Sequence, residues 1–367
     1  MALSKIDLAN MVENQMPQSL IADNINFRNI IINGDMSIAQ RSTSVSSLTS
    51  SSTYKTIDRF VTELGSNGTW TQSQSTDVPT GQGFGKSLKM DCTSTGSGGY
   101  LHITQRFEGQ NLIYLNKGRS TAESLTLSFW VKSAKTGTYI AEFRDTDNTR
   151  NISKSYTISS ANTWEKKTIT YPGDTSGGLS NDNGASLELN LWLAAGSSNT
   201  SGTLQTDWGS QVSANRAVGQ VNLGDSTSNE WYITGLQLEA GTAASDFEFL
   251  PHDVNFNRCR RYYEKFDNSG DPDSEMYWIG IACADTNTDA RTVLKYYPKR
   301  ANPSTSFTGT VRVDPGNRTT TTMYFDTQRT QSSLFYFNAF SASGSASDAL
   351  YMRFNTTSSK IELNSEL

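Results

Sequence analysis

Leucine alternates with polar or aromatic residues, without a break, through the seven residues from Leu187 to Leu193. Successive side chains of a β-strand point to opposite faces of its sheet. The four leucines would therefore share one face, and Glu188, Asn190 and Trp192 would share the other. A period of two is typical of a half-buried strand and not of a helix. The stretch predicts a strand whose second face exposes a tryptophan between polar side chains.

Residues 125–132 repeat this alternation. Their apolar side chains fall on one face, and Trp130 falls on the other beside Ser128 and Lys132. A flat apolar ring among short polar groups suits the C–H face of a sugar, whose hydroxyls the neighbours could bind. Carbohydrate-binding candidates are therefore Trp192, Trp130, Glu188 and Asn190. The alternative is that a loop or another subunit covers each tryptophan.

The composition favours many short strands joined by turns. Only 18% of the 367 residues are charged, whereas Gly (28 residues), Ser, Thr and Asn are abundant. We expect an all-β fold with more than one domain. The net charge of −5 provides no basic surface to attract nucleic acid. Without a signal-peptide core or a long apolar run, we expect a soluble product made in the cytoplasm and no membrane insertion.

Catalytic patterns are missing from the sequence. The chain has two histidines, no Cys or His cluster at metal spacing, no nucleophile elbow and no phosphate loop. We therefore expect a protein that is not an enzyme and that needs no cofactor. A carboxylate pair assembled by the fold, as in a glycan depolymerase, remains an alternative. The three separated cysteines, Cys92, Cys259 and Cys283, are typical of buried thiols.

Helix and strand patterns, together with the turn and helix-breaking residues between them, predict four segments. Residues 1–28 have weak helical spacing up to Pro17 and form a short arm that could anchor the protein to a larger particle. Residues 29–250 read as strands, with Gly235 interrupting the alternation of the last one. Residues 251–266 form a connecting helix, and residues 267–367 return to strands in a small distal β-domain.

The predicted connecting helix carries a narrow apolar seam. Asp253 can cap it, and Phe256, Cys259, Tyr263 and Phe266 follow at spacings of three, four and three residues. Such a seam could pack on the preceding domain or against copies of itself at an oligomer interface.

Several separated segments, in order, resemble bacteriophage tail-fibre-like and receptor-binding virion proteins that carry a carbohydrate-binding-module-like jelly roll. They are residues 32–36 (Ile-Asn-Gly-Asp-Met), 38–41 (Ile-Ala-Gln-Arg), 58–60 (Asp-Arg-Phe), 105–110 (Gln-Arg-Phe-Glu-Gly-Gln), 124–133, 162–167, 171–174, 182–184 (Asp-Asn-Gly), 219–223 (Gly-Gln-Val-Asn-Leu) and 231–265. The set covers residues 28–265. Trp130 lies inside one of these segments, whereas Trp192 does not, so Trp192 is the better candidate for a ligand contact.

The resemblance implies a jelly-roll sandwich, a homotrimer and a place on a virion, with the N-terminal arm contacting other virion proteins. It also raises Asp35 and Glu239 as a weak candidate pair for a structural Ca²⁺. We expect a phage fibre protein that attaches to the host surface by binding a glycan. The alternatives are a purely structural virion component, such as a head fibre, decoration or tail adapter, and a glycan depolymerase.

Overall fold

The computed structural model describes residues 27–96, 98–267, 278–284, 289–314, 318–337 and 349–367. The helix predicted near the N-terminus lies outside these residues. The chain divides into two compact units, each considered separately below. The first contains the residues up to Ser37 together with 44–55 and 60–251, and the second contains 38–43, 56–59 and 252–367.

Eleven antiparallel strands and one short helix form the described part of the first unit. The strands are β1 (Ser44–Tyr54), β2 (Val61–Ser75), β3 (Ser87–Ser94), β4 (Tyr100–Glu108), β5 (Leu125–Ser133), β6 (Gly137–Asp145), β7 (Arg150–Ile158), β8 (Glu165–Tyr171), β9 (Ala185–Ala195), β10 (Gly209–Ser210) and β11 (Glu230–Ala240), and the helix is α1 (Ser197–Thr200). Their order in the sheet is β10-β7-β6-β9-β4-β2-β3-β11-β5-β8, with β1 paired to β2.

This long sheet folds over on itself into a sandwich. The first residues of β2 pair with β4 and its last residues pair with β3, so β2 belongs to both layers. Strands from opposite ends of the sheet then meet in the core: the rings of Phe129 and Tyr156 are 5.1 Å apart, and those of Phe143 and Tyr171 are 4.7 Å apart. The all-β prediction is confirmed, and the first part of the chain is a β-sandwich of antiparallel strands.

Gly235 marks a β-bulge in β11. The register between β11 and β5 shifts between Thr234 and Gln237, and Gly235 has a φ of +61°. A Cβ at this position would lie 2.5 Å from the Phe84 ring. Both observations require glycine here, which confirms that Gly235 interrupts the alternation of this strand.

The second unit combines a helix with two sheets. Helix α2 (His252–Arg260) precedes β12 (Tyr263–Asp267), β13 (Trp278–Ala284), β14 (Ala290–Lys295), β15 (Ser304–Thr308), β16 (Val311–Asp314), β17 (Arg318–Thr320), β18 (Met323–Gln328), β19 (Ser332–Phe337), β20 (Ala349–Phe354) and β21 (Lys360–Asn364). The sheet orders are β12-β21-β15 and β17-β16-β20-β13-β14-β19-β18.

The predicted helix over residues 251–266 is too long, because the chain leaves the helix after Arg260. Tyr263 and Phe266 lie on β12, where they pair with Asn364 and Ile361 of β21. Aromatic residues favour strands, and β21 satisfies backbone groups that a final helical turn would leave open. The predicted helical seam through Phe256, Cys259, Tyr263 and Phe266 is therefore not formed.

Burial within the second unit also changes the interpretation of the seam residues. Cys259 and Tyr263 are buried, and Phe266 packs against a core that includes Ile361 and Leu363. Phe256 is half-buried. The seam residues thus contribute mainly to the unit's own packing. The prediction that cysteines are buried thiols is confirmed for Cys92 and Cys259, which are free and buried; the side chain of Cys283 is not among those described.

A buried group of ionisable side chains completes the second unit. The Arg59 guanidinium lies 3.4 Å from the centroid of the Tyr262 ring and pairs with Glu366. Arg41 lies 3.9 Å from Asp58, which also accepts a 3.0 Å hydrogen bond from the Gln40 backbone N–H. Burial raises the pKa of Asp58 to about 6, despite the opposing effect of Arg41. This part of the fold is therefore sensitive to proton binding.

Candidate functional site

A cavity of about 300 Å³ opens in the first unit over the layer that contains β2, β4, β9 and β6. Its lining is polar and aromatic. The lining residues are Glu63, Tyr100, His102, Thr104, Arg106, Arg144, Glu188, Asn190, Trp192, Asn199 and Arg216.

Period-two alternation and strand register bring most of these side chains together. On β4 and β9, the register places His102 opposite Trp192 and Thr104 opposite Asn190. Further along the same pair of strands, Arg106 faces Glu188. Because cross-strand neighbours share a face, six side chains from two strands form one continuous patch.

The adjoining strands extend the patch on both sides. Arg144 of β6 pairs in register with Glu188, and Glu63 of β2 pairs with His102. Arg216 enters from the connection between β10 and β11, and Asn199 from α1. Four strands and two connecting segments thus enclose the cavity.

Three of the four sequence-predicted carbohydrate contacts line this cavity. Glu188, Asn190 and Trp192 do share one face of β9, as the alternation indicates. Trp130 does not line the cavity; it lies half-buried on β5, between Thr234 of β11 and Lys166 of β8.

The expectation that Trp192 is exposed is wrong, because its side chain is only 1% exposed. It packs with Ile140 and Ala217. The His102 ring lies 4.6 Å from the indole, and the Arg216 guanidinium lies 5.0 Å from it. Trp192 is thus the floor of the cavity, covered by cavity residues, and not an open platform.

The floor is fixed by the buried carboxylate of Glu142. Arg216 donates two hydrogen bonds of 2.8 Å to it, one to each carboxylate oxygen. The indole Nε1 of Trp192 and the amide of Asn190 donate to Oε2 at 3.1 Å and 3.2 Å, and Asn151 donates to Oε1. A buried carboxylate is tolerated when, as here, it forms a bidentate ion pair and both of its oxygens accept further hydrogen bonds.

A second ionic network forms one wall. Arg106 donates to Glu188 at 2.9 Å and to Glu63 at 2.6 Å. Arg144 donates to the other oxygen of Glu188 at 3.2 Å and to Gln211 at 2.7 Å. These contacts hold long side chains in defined positions before any ligand enters.

An aromatic series leads from the floor to the rim. Tyr100 stacks on His102 with ring centroids 5.8 Å apart and an interplanar angle of 28°. Tyr100 is 38% exposed, so its ring is the accessible aromatic surface of the cavity. His102 lies between this rim ring and buried Trp192.

The hydrogen bonds define the state of His102. Asn190 donates its amide to Glu142, so its Oδ1 accepts the 2.6 Å hydrogen bond from Thr104 Oγ1. Since that hydroxyl has only one proton to donate, the 2.9 Å contact between His102 Nδ1 and Thr104 Oγ1 needs the proton on Nδ1. Burial lowers the pKa of His102 well below 6.5, and the nearby guanidinium groups lower it further. His102 is therefore neutral, with Nε2 as an acceptor.

Asp35 and Glu239 do not form a calcium site with further acidic groups. Glu239 accepts hydrogen bonds from the backbone and hydroxyl of Ser245, and Asp35 accepts from the Ser37 hydroxyl at 3.1 Å. Among the residues that the structure describes, no group of three or more His, Cys, Asp or Glu side chains could hold a metal ion. No helix in the described chain is long and apolar enough to span a membrane.

Sequence reasoning missed most of the cavity wall. Tyr100, His102, Thr104 and Arg106 alternate along β4 in the same way as the residues of β9, so the same period-two argument could have identified them. Nothing in the sequence indicates that β4 pairs with β9, or that Arg216 reaches the same cavity.

No family model matches the chain, and no curated protein matches its sequence. One similar solved structure is a putative sugar-binding protein from Bacteroides thetaiotaomicron VPI-5482, with 12% identity and a TM-score of 0.34 over 58% of this chain and 99% of that chain. A second is the N-terminal cellulose-binding domain of Cellulomonas fimi β-1,4-glucanase C, with 8% identity and a TM-score of 0.29 over 56% of this chain and 100% of that chain. Another is the enzymatically active domain of bacteriophage CBA120 tailspike protein 4, with 15% identity and a TM-score of 0.32. That match covers 58% of this chain but only 21% of the tailspike chain. At these values the similarity concerns the sandwich and says nothing of a ligand.

Proposed function

We propose that the first unit is a carbohydrate-binding module and that its cavity binds a saccharide. The observation that carries the proposal is the exposed Tyr100 ring at the rim of a cavity whose walls are ordered hydrogen-bonding groups. A sugar presents the complementary surfaces: an apolar face of C–H groups and a rim of hydroxyls.

The ionic wall suits hydroxyl recognition. A sugar hydroxyl both donates and accepts, so it can accept from a guanidinium such as that of Arg144 or donate to a carboxylate such as that of Glu63. Because Arg106 and Arg144 are already held by Glu188, little side-chain entropy is lost on binding. The buried Trp192 contributes by supporting His102 and, through it, the Tyr100 ring.

We propose further that the protein is a virion component, a homotrimeric phage fibre that attaches to a host-surface glycan. The ordered resemblance across residues 28–265 supports this setting. Docking of the N-terminal arm onto other virion proteins is part of the same proposal. Light scattering on the purified protein tests the trimer, and a monomer at micromolar concentration would contradict it.

Binding of the purified protein to a glycan array, followed by calorimetry with the best ligand, tests the saccharide site. Tyr100→Ala should weaken binding by about 5- to 30-fold, since stacking of an aromatic ring contributes about 1–2 kcal/mol. Tyr100→Phe, which keeps the ring, should retain most of the affinity. A protein that binds no glycan, or whose binding is unchanged by Tyr100→Ala, would overturn the proposal.

Trp130→Ala is the matched control, because it removes a half-buried aromatic outside the cavity. Unchanged binding would place the site at the cavity, whereas a loss equal to that of Tyr100→Ala would favour the sequence-based prediction for Trp130. The same samples test the depolymerase alternative. Release of reducing ends that is lost in Glu63→Gln or Glu188→Gln would favour an enzyme over a binding module.

A further inference from the structure

We infer that the preferred ligand is a saccharide with an anionic substituent, a carboxylate or a phosphate, held by Arg144 and Arg216. This inference rests on the proposed function of the cavity and specifies its ligand class. It follows from which hydrogen-bonding atoms of the cavity are already used and which are not.

The open donors of the cavity include two guanidinium groups. Arg144 uses Nε and Nη1 for Gln211 and Glu188, and its Nη2 has no partner in the described chain. Arg216 uses Nε and Nη2 for Glu142, and its Nη1 likewise has no partner among the described residues. The side-chain amide of Asn199 and the Tyr100 hydroxyl also lack a protein partner among the described residues. Two of these four groups carry a full positive charge.

The acceptors, by contrast, are largely committed. Both oxygens of Glu188 accept from guanidinium groups, and both oxygens of Glu142 accept from the side chains at the floor. The Asn190 Oδ1 accepts from Thr104. The acceptors left open are one oxygen of Glu63, the neutral Nε2 of His102, the Asn199 Oδ1 and the Tyr100 hydroxyl oxygen.

The charges around the cavity come from six side chains. Three guanidinium groups, those of Arg106, Arg144 and Arg216, face the cavity against two carboxylates, Glu63 and Glu188. The third carboxylate, Glu142, is fully buried and forms a bidentate pair with Arg216, so the three positive and three negative charges balance. What favours an anion is that two guanidinium groups keep N–H groups open, whereas one carboxylate oxygen stays open. A ligand that supplies an anion receives charge-assisted hydrogen bonds from donors that a neutral sugar would fill only with hydroxyl oxygens.

The anion has a defined position in this arrangement. Arg144 is the more accessible guanidinium, with its side chain 35% exposed, whereas Arg216 covers the indole at the floor. A carboxylate or phosphate placed between them would lie on the side of the cavity formed by β6 and the connection that follows β10. Tyr100 on β4 remains free to stack with the sugar ring.

A glycan array that contains neutral, carboxylated and phosphorylated saccharides provides the first test, since the strongest ligands should be anionic. The best carboxylated ligand is then compared with its methyl ester, and the best phosphorylated ligand with its dephosphorylated form. Loss of the anion should lower the affinity about tenfold. Raising NaCl from about 0.05 M to about 0.5 M should weaken the anionic ligand more than the neutral one.

Two variants assign the effect to the cavity. Arg144→Gln should bring the affinities of the anionic ligand and its neutral counterpart close together, and Asn199→Asp should weaken the anionic ligand selectively. Arg119→Gln changes the net charge equally at an exposed position outside the cavity and should leave both affinities unchanged. Circular dichroism and the unfolding midpoint confirm that each variant is folded.

The outcomes separate the two levels of the proposal. If neutral glycans bind best, or if esterification leaves the affinity unchanged while Tyr100→Ala abolishes binding, the cavity binds sugars and the anionic inference is wrong. If no saccharide binds, the proposed function itself fails and the inference fails with it.

Discussion

The indole Nε1 of Trp192 donates a 3.1 Å hydrogen bond to Glu142, which ties the floor of the cavity to a buried carboxylate. The same carboxylate accepts hydrogen bonds from Nε and Nη2 of Arg216 and from the amides of Asn190 and Asn151. Strands β6, β7 and β9 and the segment that carries Arg216 are therefore joined at one residue. Whatever the ligand, the shape of the cavity depends on Glu142.

Glu142→Ala should destabilise the protein by about 3–5 kcal/mol, because it leaves the Arg216 charge without its partner in a largely buried position. Urea unfolding followed by tryptophan fluorescence measures the change. Glu123→Ala, at an exposed position, is the control and should stay within about 0.5 kcal/mol of the parent. A change of less than about 1 kcal/mol for Glu142→Ala would show that the carboxylate does not hold the floor together.

Gly235→Ala should destabilise the sandwich more than Gly81→Ala. Both glycines have positive φ, +61° and +76°, but a Cβ at 235 would lie 2.5 Å from Phe84, whereas a Cβ at 81 meets no atom within 4 Å. The backbone strain of about 1 kcal/mol is thus shared, and the clash adds about 1–3 kcal/mol at position 235 only. Equal unfolding free energies for the two variants would contradict the bulge geometry.

The face of Trp192 was predictable from its sequence, but its burial was not. Alternation within residues 187–193 places it with Glu188 and Asn190, and the structure keeps all three on one side of β9. The groups that cover the indole, His102 and Arg216, come from distant parts of the chain. A period of two assigns a side to each residue and carries no information about what lies over that side.

The two ends of α2 differ in how far the local sequence predicts them. The helix begins at His252, so Asp253 lies inside its first turn and not at the N-cap position that the sequence suggested; its carboxylate there still favours the N-terminus of the helix. The end after Arg260 depends on pairing between Tyr263–Asp267 and a strand about a hundred residues later. Similarly, no local pattern assigns residues 38–43 and 56–59 to the second unit. Long-range pairing decides each of these features, so a single sequence does not show them.

Asp58 should make the second unit less stable as the pH rises. Its folded pKa of about 6 exceeds the unfolded value of 3.8, so the folded state binds the proton more tightly. The stabilisation is complete below about pH 4 and is lost as the pH rises through about 6, a difference of about 3 kcal/mol. Arg41 and Glu366 also lie near this carboxyl group and belong to the same titrating cluster.

Urea unfolding at several pH values, with hydrogen exchange of peptides from residues 252–267 to identify the unit, measures this dependence. Asp58→Asn should flatten it between about pH 4 and about pH 6. Asp207→Asn, at an exposed position of the first unit, should leave it unchanged. A slope that persists in Asp58→Asn would assign the proton to another group.

His102 should be found as the neutral Nδ1–H tautomer. Thr104 donates its single hydroxyl proton to Asn190, so it can only accept a hydrogen bond from the imidazole. Long-range ¹H–¹⁵N NMR distinguishes the two ring nitrogens, and His252→Gln assigns the signals, since the chain has only two histidines. Burial and the guanidinium groups keep the pKa of His102 well below 6.5, so its signals should not shift as the pH falls from about 7.5 to about 6. Thr104→Val should remove the tautomer preference without charging the ring. An imidazole that titrates near 6.5, or an Nε2–H tautomer, would contradict the hydrogen-bond chain from Glu142 through Asn190 and Thr104.

An anionic ligand at Arg144 and Arg216 would offset part of the guanidinium field and raise the pKa of His102, whereas a neutral sugar would not.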